Sequence, residues 1–261
     1  MTGRTVPPPT SADVRPRERA GPAGGAGGRI RYALVTGASG DIGRAVLRRL
    51  AGDGARIVAH CHRGDLDPDV EVDRLVRADL LAPGGAGTLL DALPADWPGL
   101  DLLVNCVGGA RPRAFVDLDE DEWEACLAVN VTVPFRTIRA AVGPLSRVGG
   151  AVVNLSSVAA LTGGAFGPHY AAAKAALIGL TRSAARELGR LGIRVNVVAP
   201  GPVDSRMTAS LTGAQLTALL DATALGRVVR PEEIADTVAW LAGAPAITGQ
   251  TVVVDGGRCF V

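Results

Sequence analysis

The stretch RYALVTGASGDIGRAVLRRL, residues 31–50, joins an apolar run, a glycine-rich turn and an amphipathic helix pattern. Its glycines fall at Gly37, Gly40 and Gly43. Glycines in such a turn let backbone N–H groups approach a phosphate, and the N-terminus of the following helix adds positive potential. The context therefore predicts a loop that holds a nucleotide phosphate, although a purely structural strand-to-helix turn would also carry glycines.

Six further apolar runs alternate with amphipathic stretches along the rest of the chain. The runs are ARIVAH, RLVRADL, LDLLVN, GGAVVNLSS, IRVNVVAPG and QTVVVDGG. Nearly continuous apolar strands between helices are typical of parallel sheets covered on both faces. We predict an α/β fold with a single Rossmann-like, doubly wound parallel sheet of about seven strands and helices on both faces. Ligands of such sheets bind at the carboxyl ends of the strands.

Two of the helices can be located by their apolar spacing. In the first, Ile42, Val46 and Leu50 share one face. Near the end of the chain, Pro231 followed by two glutamates predicts a helix start, and Gly243 predicts its end.

The composition limits the possible functions. The 261 residues fit one large domain, and the formal net charge of +1 provides no basic footprint for nucleic acid. No apolar run reaches the ~18 residues of a membrane span, and the four cysteines lack the paired spacing of a zinc site. We expect a reduced, cytoplasmic protein with no metal site and no nucleic-acid or membrane partner.

The first 28 residues differ from the rest of the chain. Residues 1–28 contain PPP, GPAGGAGG and scattered arginines, with almost nothing apolar to bury. This composition predicts a disordered tail, followed by one folded domain over residues 29–261.

The segment GPHYAAAKAAL places Tyr170 and Lys174 four residues apart on a predicted helix, so they share a face. A free tyrosine has a pKa of ~10, and a nearby ammonium brings that pKa toward the working range of an acid–base group. Lys174 is the only lysine in the chain. Ser157, thirteen residues before Tyr170, ends a predicted strand where its hydroxyl can hold a substrate oxygen.

With these residues the chain resembles the short-chain dehydrogenase/reductase family over residues 30–261. Ser157, Tyr170 and Lys174 match the family's catalytic triad, and Asn130 matches the asparagine that completes its tetrad through a water. NCVG at 105–108 is similar to the N-N-A-G motif after the fourth strand, and PGPVDSRM at 200–207 is similar to the loop facing the nicotinamide. The closing ITGQTVVVDGG resembles that of 3-oxoacyl-carrier-protein reductases.

The resemblance implies a nicotinamide dinucleotide held along the carboxyl edge of the sheet, with Asp79 at the adenine. The implied cofactor-binding residues are Gly37, Ser39, Gly40, Asp41, Ile42, Gly43, His62, Arg63, Asp79, Leu80, Asn105, Gly108, Tyr170, Lys174, Pro200, Gly201, Val203 and Ser205.

The glycine loop departs from the short type of this family. That type usually reads T-G-x-x-x-G-x-G, with glycine at position 41, whereas TGASGDIG has the spacing of the extended type. The extended type carries a further substrate domain, for which this chain leaves no room after its last strand. We therefore interpret the chain as the short type and Asp41 as a helix-start residue, whose repulsion of the pyrophosphate stays small only if its side chain points away.

The resemblance also implies a reaction. Tyr170 would donate a proton to the developing alkoxide, Lys174 would lower the pKa of the phenol and hold the ribose, and Ser157 would fix the carbonyl oxygen. The segment near 206–228 is predicted to form a lid over the substrate, and its small and apolar residues suit a β-ketoacyl or polyketide-like ketone, possibly bound to a carrier protein. Arg111 and Arg113, in the loop after strand LDLLVN, could meet an acidic group, but we interpret them as solvated loop residues.

Cofactor choice depends on the end of the second strand. Enzymes that prefer NAD usually place an acidic residue there, whereas this chain has Cys61, His62 and Arg63, followed by Asp65. An arginine can bind a 2′-phosphate by charge-assisted hydrogen bonds, so we predict NADPH over NADH.

The leading hypothesis is thus an NADPH-dependent ketoreductase. An NAD-linked secondary alcohol dehydrogenase and a catalytically silent dinucleotide-binding module remain open. The resemblance further implies a homotetramer, built through the helices that carry Asn130 and Tyr170.

Overall fold

The computed structural model describes residues 29–164, 166–205 and 212–260. The predicted tail, residues 1–28, lies outside this part, as do residues 206–211 of the predicted lid. The strands are β1 Tyr32–Thr36, β2 Arg56–Cys61, β3 Arg74–Arg77, β4 Leu102–Asn105, β5 Ala151–Leu155, β6 Arg194–Pro200 and β7 Thr251–Val254.

All seven strands form one parallel sheet in the order β3-β2-β1-β4-β5-β6-β7. The prediction of a doubly wound parallel sheet is therefore confirmed. The strand order reverses between β1 and β4, and this is the point where such sheets open a crevice for ligands.

Eight α-helices are described beside these strands. They are α1 Asp41–Gly52, α2 Gly85–Asp91, α3 Glu120–Leu127, α4 Val133–Val148, α5 Ala159–Thr162, α6 Pro168–Leu188, α7 Gly213–Asp221 and α8 Pro231–Gly243. Short 3₁₀ turns cover Phe115–Asp117 and Gly189–Leu191, and Ala128–Thr132 is a π-helical turn. The predicted limits of the last helix, Pro231 and Gly243, are confirmed.

Two apolar cores lie on opposite faces of the sheet. On one face α1 and α8 pack side chains such as Val46, Leu50 and Val238 against the strands. On the other face α2, α4 and α6 contribute residues such as Leu89 and Leu145. The apolar face expected on α1 thus packs into the core, as a 3.6-residue period requires, and α8 has a similar buried face.

One half-buried arginine ties β6 to the end of α8. Arg194 Nη1 donates to the carbonyl oxygens of Leu241 and Ala244 at 2.8 and 2.9 Å, and Nη2 donates to Ala242. The last carbonyls of a helix lack partners within the helix, and a guanidinium satisfies several of them together. Burial lowers the pKa of Arg194.

Within the described residues, the continuous helical stretch Glu120–Val148 alone has the length and hydropathy of a membrane span. Its apolar character has a local explanation, because Val133, Ile138 and Leu145 pack into the core beside α2. Asn130 is fully buried in the middle of the same stretch.

Candidate active site

Three predicted catalytic residues meet at the carboxyl end of β5. Ser157 follows this strand, and Tyr170 and Lys174 lie one turn apart on α6. Lys174 Nζ donates to the Leu155 carbonyl oxygen at 2.8 Å and lies 5.5 Å from the centroid of the Tyr170 ring. The Ser157 side chain lies close enough to Tyr170 to lower the pKa of the phenol, and its hydroxyl oxygen accepts from the Ala159 N–H at 3.1 Å. A phenol, a hydroxyl and an ammonium therefore share one small region at the ligand-binding edge of the sheet.

Asn130 reaches this region because the helix widens into a π-turn, a feature often found at functional sites. Its Nδ2 donates to the Cys126 carbonyl at 2.9 Å and to the Gly109 carbonyl at 2.8 Å. Its Oδ1 accepts from the Gly109 N–H at 3.1 Å. Asn130 thus fastens the loop after β4 to the end of α3.

Beneath the site, a chain of uncharged hydrogen bonds crosses the sheet from α4 to α6. Thr137 donates to Asn105 at 2.8 Å, Asn105 donates to Asn154 at 2.9 Å, and Asn154 donates to Thr181 at 2.9 Å. All four residues are fully buried. Because each amide and hydroxyl has a partner, this polar chain fixes the register of β4, β5 and α6 without leaving a buried group unsatisfied.

Burial dominates the electrostatics of the site. It raises the pKa of Tyr170, and the hydrogen bond with Ser157 works in the opposite direction. It also lowers the pKa of Lys174 to about 8. The largest effect on the pKa of the phenol therefore raises it, whereas the ammonium was expected to lower it. Burial likewise raises the pKa of the neighbouring Cys106 thiol to about 12.

The glycine-rich loop has the shape of a phosphate cradle. Gly37 has φ +64°, and a Cβ there would lie 2.8 Å from the Cys106 carbonyl carbon. A Cβ at Gly43 would lie 2.3 Å from the Gly37 carbonyl oxygen. Gly40 is the N-cap of α1 and supplies no side-chain cap to its first N–H groups, which suits an anionic ligand. Asp41 is the first residue of α1, as the sequence predicted.

A second cradle lies beside the catalytic cluster. A Cβ at Gly108 would fall 2.7 Å from Asn130 Oδ1 and 2.9 Å from Lys174 Nζ. Only a backbone without a side chain passes this close to both groups. The described residues therefore fit a dinucleotide along the edge of the sheet, with a phosphate loop at one end and the Lys174 ammonium at the other.

His60 lies against the glycine-rich loop, a contact that the sequence alone did not reveal. Its Nδ1 accepts from the Gly37 N–H at 3.4 Å, so Nε2 carries the proton and donates to the Ala78 carbonyl at 2.9 Å. Burial lowers the pKa of His60 and favours this neutral form. The signal was a polar residue inside the apolar run ARIVAH.

The residues predicted for the adenosine half lie after β2 and β3. Cys61 is buried at the end of β2, whereas His62 and Arg63 are exposed. Arg63 forms no hydrogen bond or ion pair with the other described residues. Asp79 accepts from the Leu81 N–H at 2.9 Å, and Leu80 is buried between them.

The predicted loop after β6 lies at the same edge of the sheet. Pro200 ends β6, Gly201 passes so close to Asp255 that a Cβ would lie 2.5 Å from the Asp255 Cβ, and Val203 bridges to Val229. Ser205 is the last described residue before the gap at 206–211.

In the loop after β4, Arg113 is exposed, as predicted, and its Nε also donates to Glu122 Oε2 at 2.6 Å. His169, beside Tyr170, is buried, and its Nδ1 has no hydrogen-bond partner among the described residues.

Comparisons with known proteins agree with this geometry. A family model described as enoyl-(acyl carrier protein) reductase matches residues 37–258. The 3-oxoacyl-acyl-carrier-protein reductase FabG of Vibrio cholerae is 36% identical over 240 residues, which cover 88% of this chain and 98% of that protein. The (3R)-3-hydroxyacyl-CoA dehydrogenase of Homo sapiens is 36% identical over 253 residues, covering 88% of this chain and 95% of that protein.

A solved structure has the same fold. A double mutant of a Serratia marcescens short-chain dehydrogenase/reductase is similar with a TM-score of 0.79 and 32% identity, covering 87% of this chain and 97% of that one.

Proposed function

Because the chain belongs to the short-chain dehydrogenase/reductase family, we propose that it is an NADPH-dependent ketoreductase. It reduces the ketone of a β-ketoacyl or polyketide-like substrate to a secondary alcohol. Its relatives are oxidoreductases named for 3-oxoacyl and 3-hydroxyacyl compounds, so the interconversion of a carbonyl and an alcohol is the reaction common to them.

The observation that carries this proposal is the meeting of Ser157, Tyr170 and Lys174 beside the Gly108 cradle. The Ser157 hydroxyl donates to the substrate oxygen and holds it against the phenol. Tyr170 transfers its proton to that oxygen as negative charge develops there. Since burial raises the pKa of Tyr170, the phenol keeps its proton at neutral pH and serves as the acid of a reduction.

Lys174 and Asn130 act around this proton donor. Lys174 directs its ammonium toward the ribose hydroxyls and the phenol, from a position that the Leu155 carbonyl fixes. Asn130 holds the loop at Gly109 and organises the water that returns a proton to Tyr170.

The nicotinamide cofactor supplies the hydride. Gly37, Gly40 and Gly43 hold its pyrophosphate, and Asp79 and Leu80 contact the adenine. Pro200, Gly201, Val203 and Ser205 would face the nicotinamide. The remaining predicted residues, namely Ser39, Asp41, Ile42, His62, Arg63, Asn105 and Gly108, would complete the contacts with the dinucleotide.

An apolar, acyl-chain substrate is in keeping with the exposed side chains of Leu216 on α7 and Leu225 after it, which are 39% and 64% exposed. Arg113 is already paired with Glu122. A carrier-bound thioester is the proposed physiological form, in keeping with the carrier protein in the names of several relatives.

A second candidate is the reverse reaction, oxidation of a 3-hydroxyacyl thioester with NAD. The 36% identity to (3R)-3-hydroxyacyl-CoA dehydrogenases favours it. The direction depends on the preferred cofactor and on its redox state in the cell.

The test is an assay of cofactor oxidation or reduction with a panel of 3-oxoacyl and 3-hydroxyacyl thioesters, simple ketones and polyketide mimics. We expect faster reduction of 3-oxoacyl thioesters with NADPH than with NADH. Preferred oxidation with NAD would support the second candidate. Cofactor binding without turnover of any substrate would indicate a silent dinucleotide-binding module and refute the proposal.

We also propose that the protein is a cytoplasmic homotetramer assembled through the helical stretch that holds Asn130 and through α6. The exposed aromatic side chains Trp123 and Phe135 on that stretch support this proposal. A stable monomer in light scattering at micromolar concentration would refute it.

A further inference from the structure

Two arginines, Arg77 and Arg44, contact the loop that follows β2, and this loop contains Asp65. Arg77, the last residue of β3, lies directly beside Cys61, the last residue of β2. Its Nη1 donates to the Gly64 carbonyl at 2.9 Å, and its Nη2 pairs with Asp65 Oδ1 at 2.6 Å. From the opposite side, Arg44 of α1 donates to the Asp65 backbone carbonyl at 3.2 Å.

This loop borders the phosphate cradle. A Cβ at Gly64 would lie 2.6 Å from Ser39 Oγ, so the loop touches the glycine-rich turn itself. The end of β2 is where dinucleotide folds place the adenosine ribose. The Arg77 guanidinium therefore lies beside the end of β2 and the following loop, the part of the fold that would face the ribose 2′ position.

The Arg77 guanidinium is already paired with a carboxylate. The Asp65 carboxylate is 87% exposed and has no other ion-pair partner among the described residues, so its pairing with Arg77 is a surface contact of small net stability. A phosphate monoester carries more charge than a carboxylate and offers more acceptor oxygens for the same planar fork. It can replace Asp65 at little cost.

We propose that Arg77, with the nearby charge of Arg44, recognises the 2′-phosphate of NADPH, and that Asp65 is an intramolecular competitor for the same guanidinium. The inference rests on the proposed function and refines it. Arg63 is exposed and has no hydrogen-bond or ion-pair partner among the described residues, whereas the strand and the Gly64 carbonyl position Arg77 in advance.

The experiment measures the dissociation constants of NADPH and NADH by calorimetry for the wild type and four variants. The variants are Arg77→Ala, Asp65→Asn, the double variant with both changes, and Arg48→Ala. Arg48 is the matched control, because it also ties α1 to the same loop, through Asp67 with Nε to Oδ2 at 2.6 Å, but lies one turn further along α1 than Arg44.

We expect Arg77→Ala to weaken NADPH binding about tenfold or more, as for a lost charge-assisted contact, and to change NADH binding less than about twofold. Asp65→Asn should tighten NADPH binding by about threefold at low salt, because it removes the competitor. In the Arg77→Ala background the same change should give no gain.

Equal losses for both cofactors, the same loss in Arg48→Ala, or no gain from Asp65→Asn would overturn the inference. Because the Asp65 side chain is exposed, its variant tests the inference even if Arg77→Ala folds poorly. A wild type that binds neither cofactor would refute the proposed function itself, a result distinct from these.

Discussion

The two ends of the carboxyl edge of the sheet are built by opposite means. At the catalytic end, Asn105, Asn154 and Thr181 are fully buried, uncharged and hydrogen-bonded to one another. At the adenosine end, exposed pairs such as Arg77 with Asp65 hold the loops. Buried networks fix atomic positions, whereas surface ion pairs contribute only ~0–1 kcal/mol each and exchange partners readily.

The difference predicts how strongly substitutions and salt affect function at each end. Proton transfer needs atoms placed within a few tenths of an ångström, so its supports lie in the core. Selection between cofactors needs only a difference in charge, so it can be made at the surface. We therefore expect large, charge-independent losses at the first end and smaller, salt-dependent changes at the second.

The largest effect is expected from Tyr170→Phe, which removes the proton donor while keeping the ring. Turnover should fall by about 10²–10⁴-fold, the usual contribution of a general acid, with cofactor affinity nearly unchanged. The assay is steady-state reduction of a 3-oxoacyl thioester, together with a cofactor titration. Tyr32→Phe is the control, since Tyr32 lies in β1 against Trp97, and a comparable loss there would contradict the assigned role.

Lys174→Arg should reduce turnover by about 10–100-fold although the charge is retained. The reason is space, because the Leu155 carbonyl lies 2.8 Å from Nζ and the Gly108 backbone closes the other side. The measurement is kcat with saturating cofactor, alongside the thermal midpoint. Wild-type turnover in this variant would show that charge alone suffices.

The pKa of Lys174 predicts a stability change with pH. Burial lowers it from 10.5 to about 8, so between these values the unfolded chain binds a proton that the folded chain lacks. Stability of the cofactor-free protein therefore gains about 1 kcal/mol per pH unit from this group as pH rises from 8 to 10.

Lys174→Met lacks this contribution. Unfolding titrations of both proteins at several pH values should show that the free energy of unfolding of the wild type rises relative to that of the variant over this range. A constant difference would mean that Lys174 is charged throughout.

Thr181→Val tests the buried hydrogen-bond chain with an isosteric change. It leaves the Asn154 amide without an acceptor, at a cost of ~1–3 kcal/mol in the free energy of unfolding. Thr237→Val is the matched control. The Thr237 hydroxyl donates to the carbonyl four residues earlier at 2.9 Å, as the Thr181 hydroxyl does at 2.8 Å, but no amide among the described residues donates to Thr237. Equal losses in the free energy of unfolding, measured by denaturant titration, would show that the buried hydrogen-bond chain adds no stability.

The smallest effect is expected from salt. Raising ionic strength from about 0.05 to 0.5 M should weaken NADPH binding several-fold more than NADH binding, because exposed charges are screened. The catalytic constant at saturating cofactor should change little. A parallel response of both cofactors would place the selectivity in buried contacts instead.

Much of the fold was predictable, because burial on both faces imposes long apolar runs on parallel strands. Seven such runs became β1 to β7, and the helix signals at Pro231 and Gly243 are the observed limits of α8. The positions of Tyr170 and Lys174 on one helix face follow from spacing alone. Their roles, and the cofactor contacts of Arg63 and Asp79, remain predictions.

What escaped prediction depends on partners distant in sequence. The pairing of Arg77 with Asp65 requires the register of β2 and β3, and the contacts of Arg194 with the end of α8 cross 47 to 50 residues. The π-turn at Asn130 has no composition signature. His60 and Asn154 were visible only as polar letters within apolar runs, a pattern that predicts a partner without identifying it.

The single lysine has a practical consequence for chemical labelling. Lys174 is 4% exposed and the sequence holds no other lysine, so acylating reagents find no exposed lysine amine in the described part of the folded protein. Modification of the Lys174 amine then reports opening of the catalytic centre. Rates of amine acylation with and without dinucleotide thus measure how tightly that centre is closed, with no substrate and no turnover.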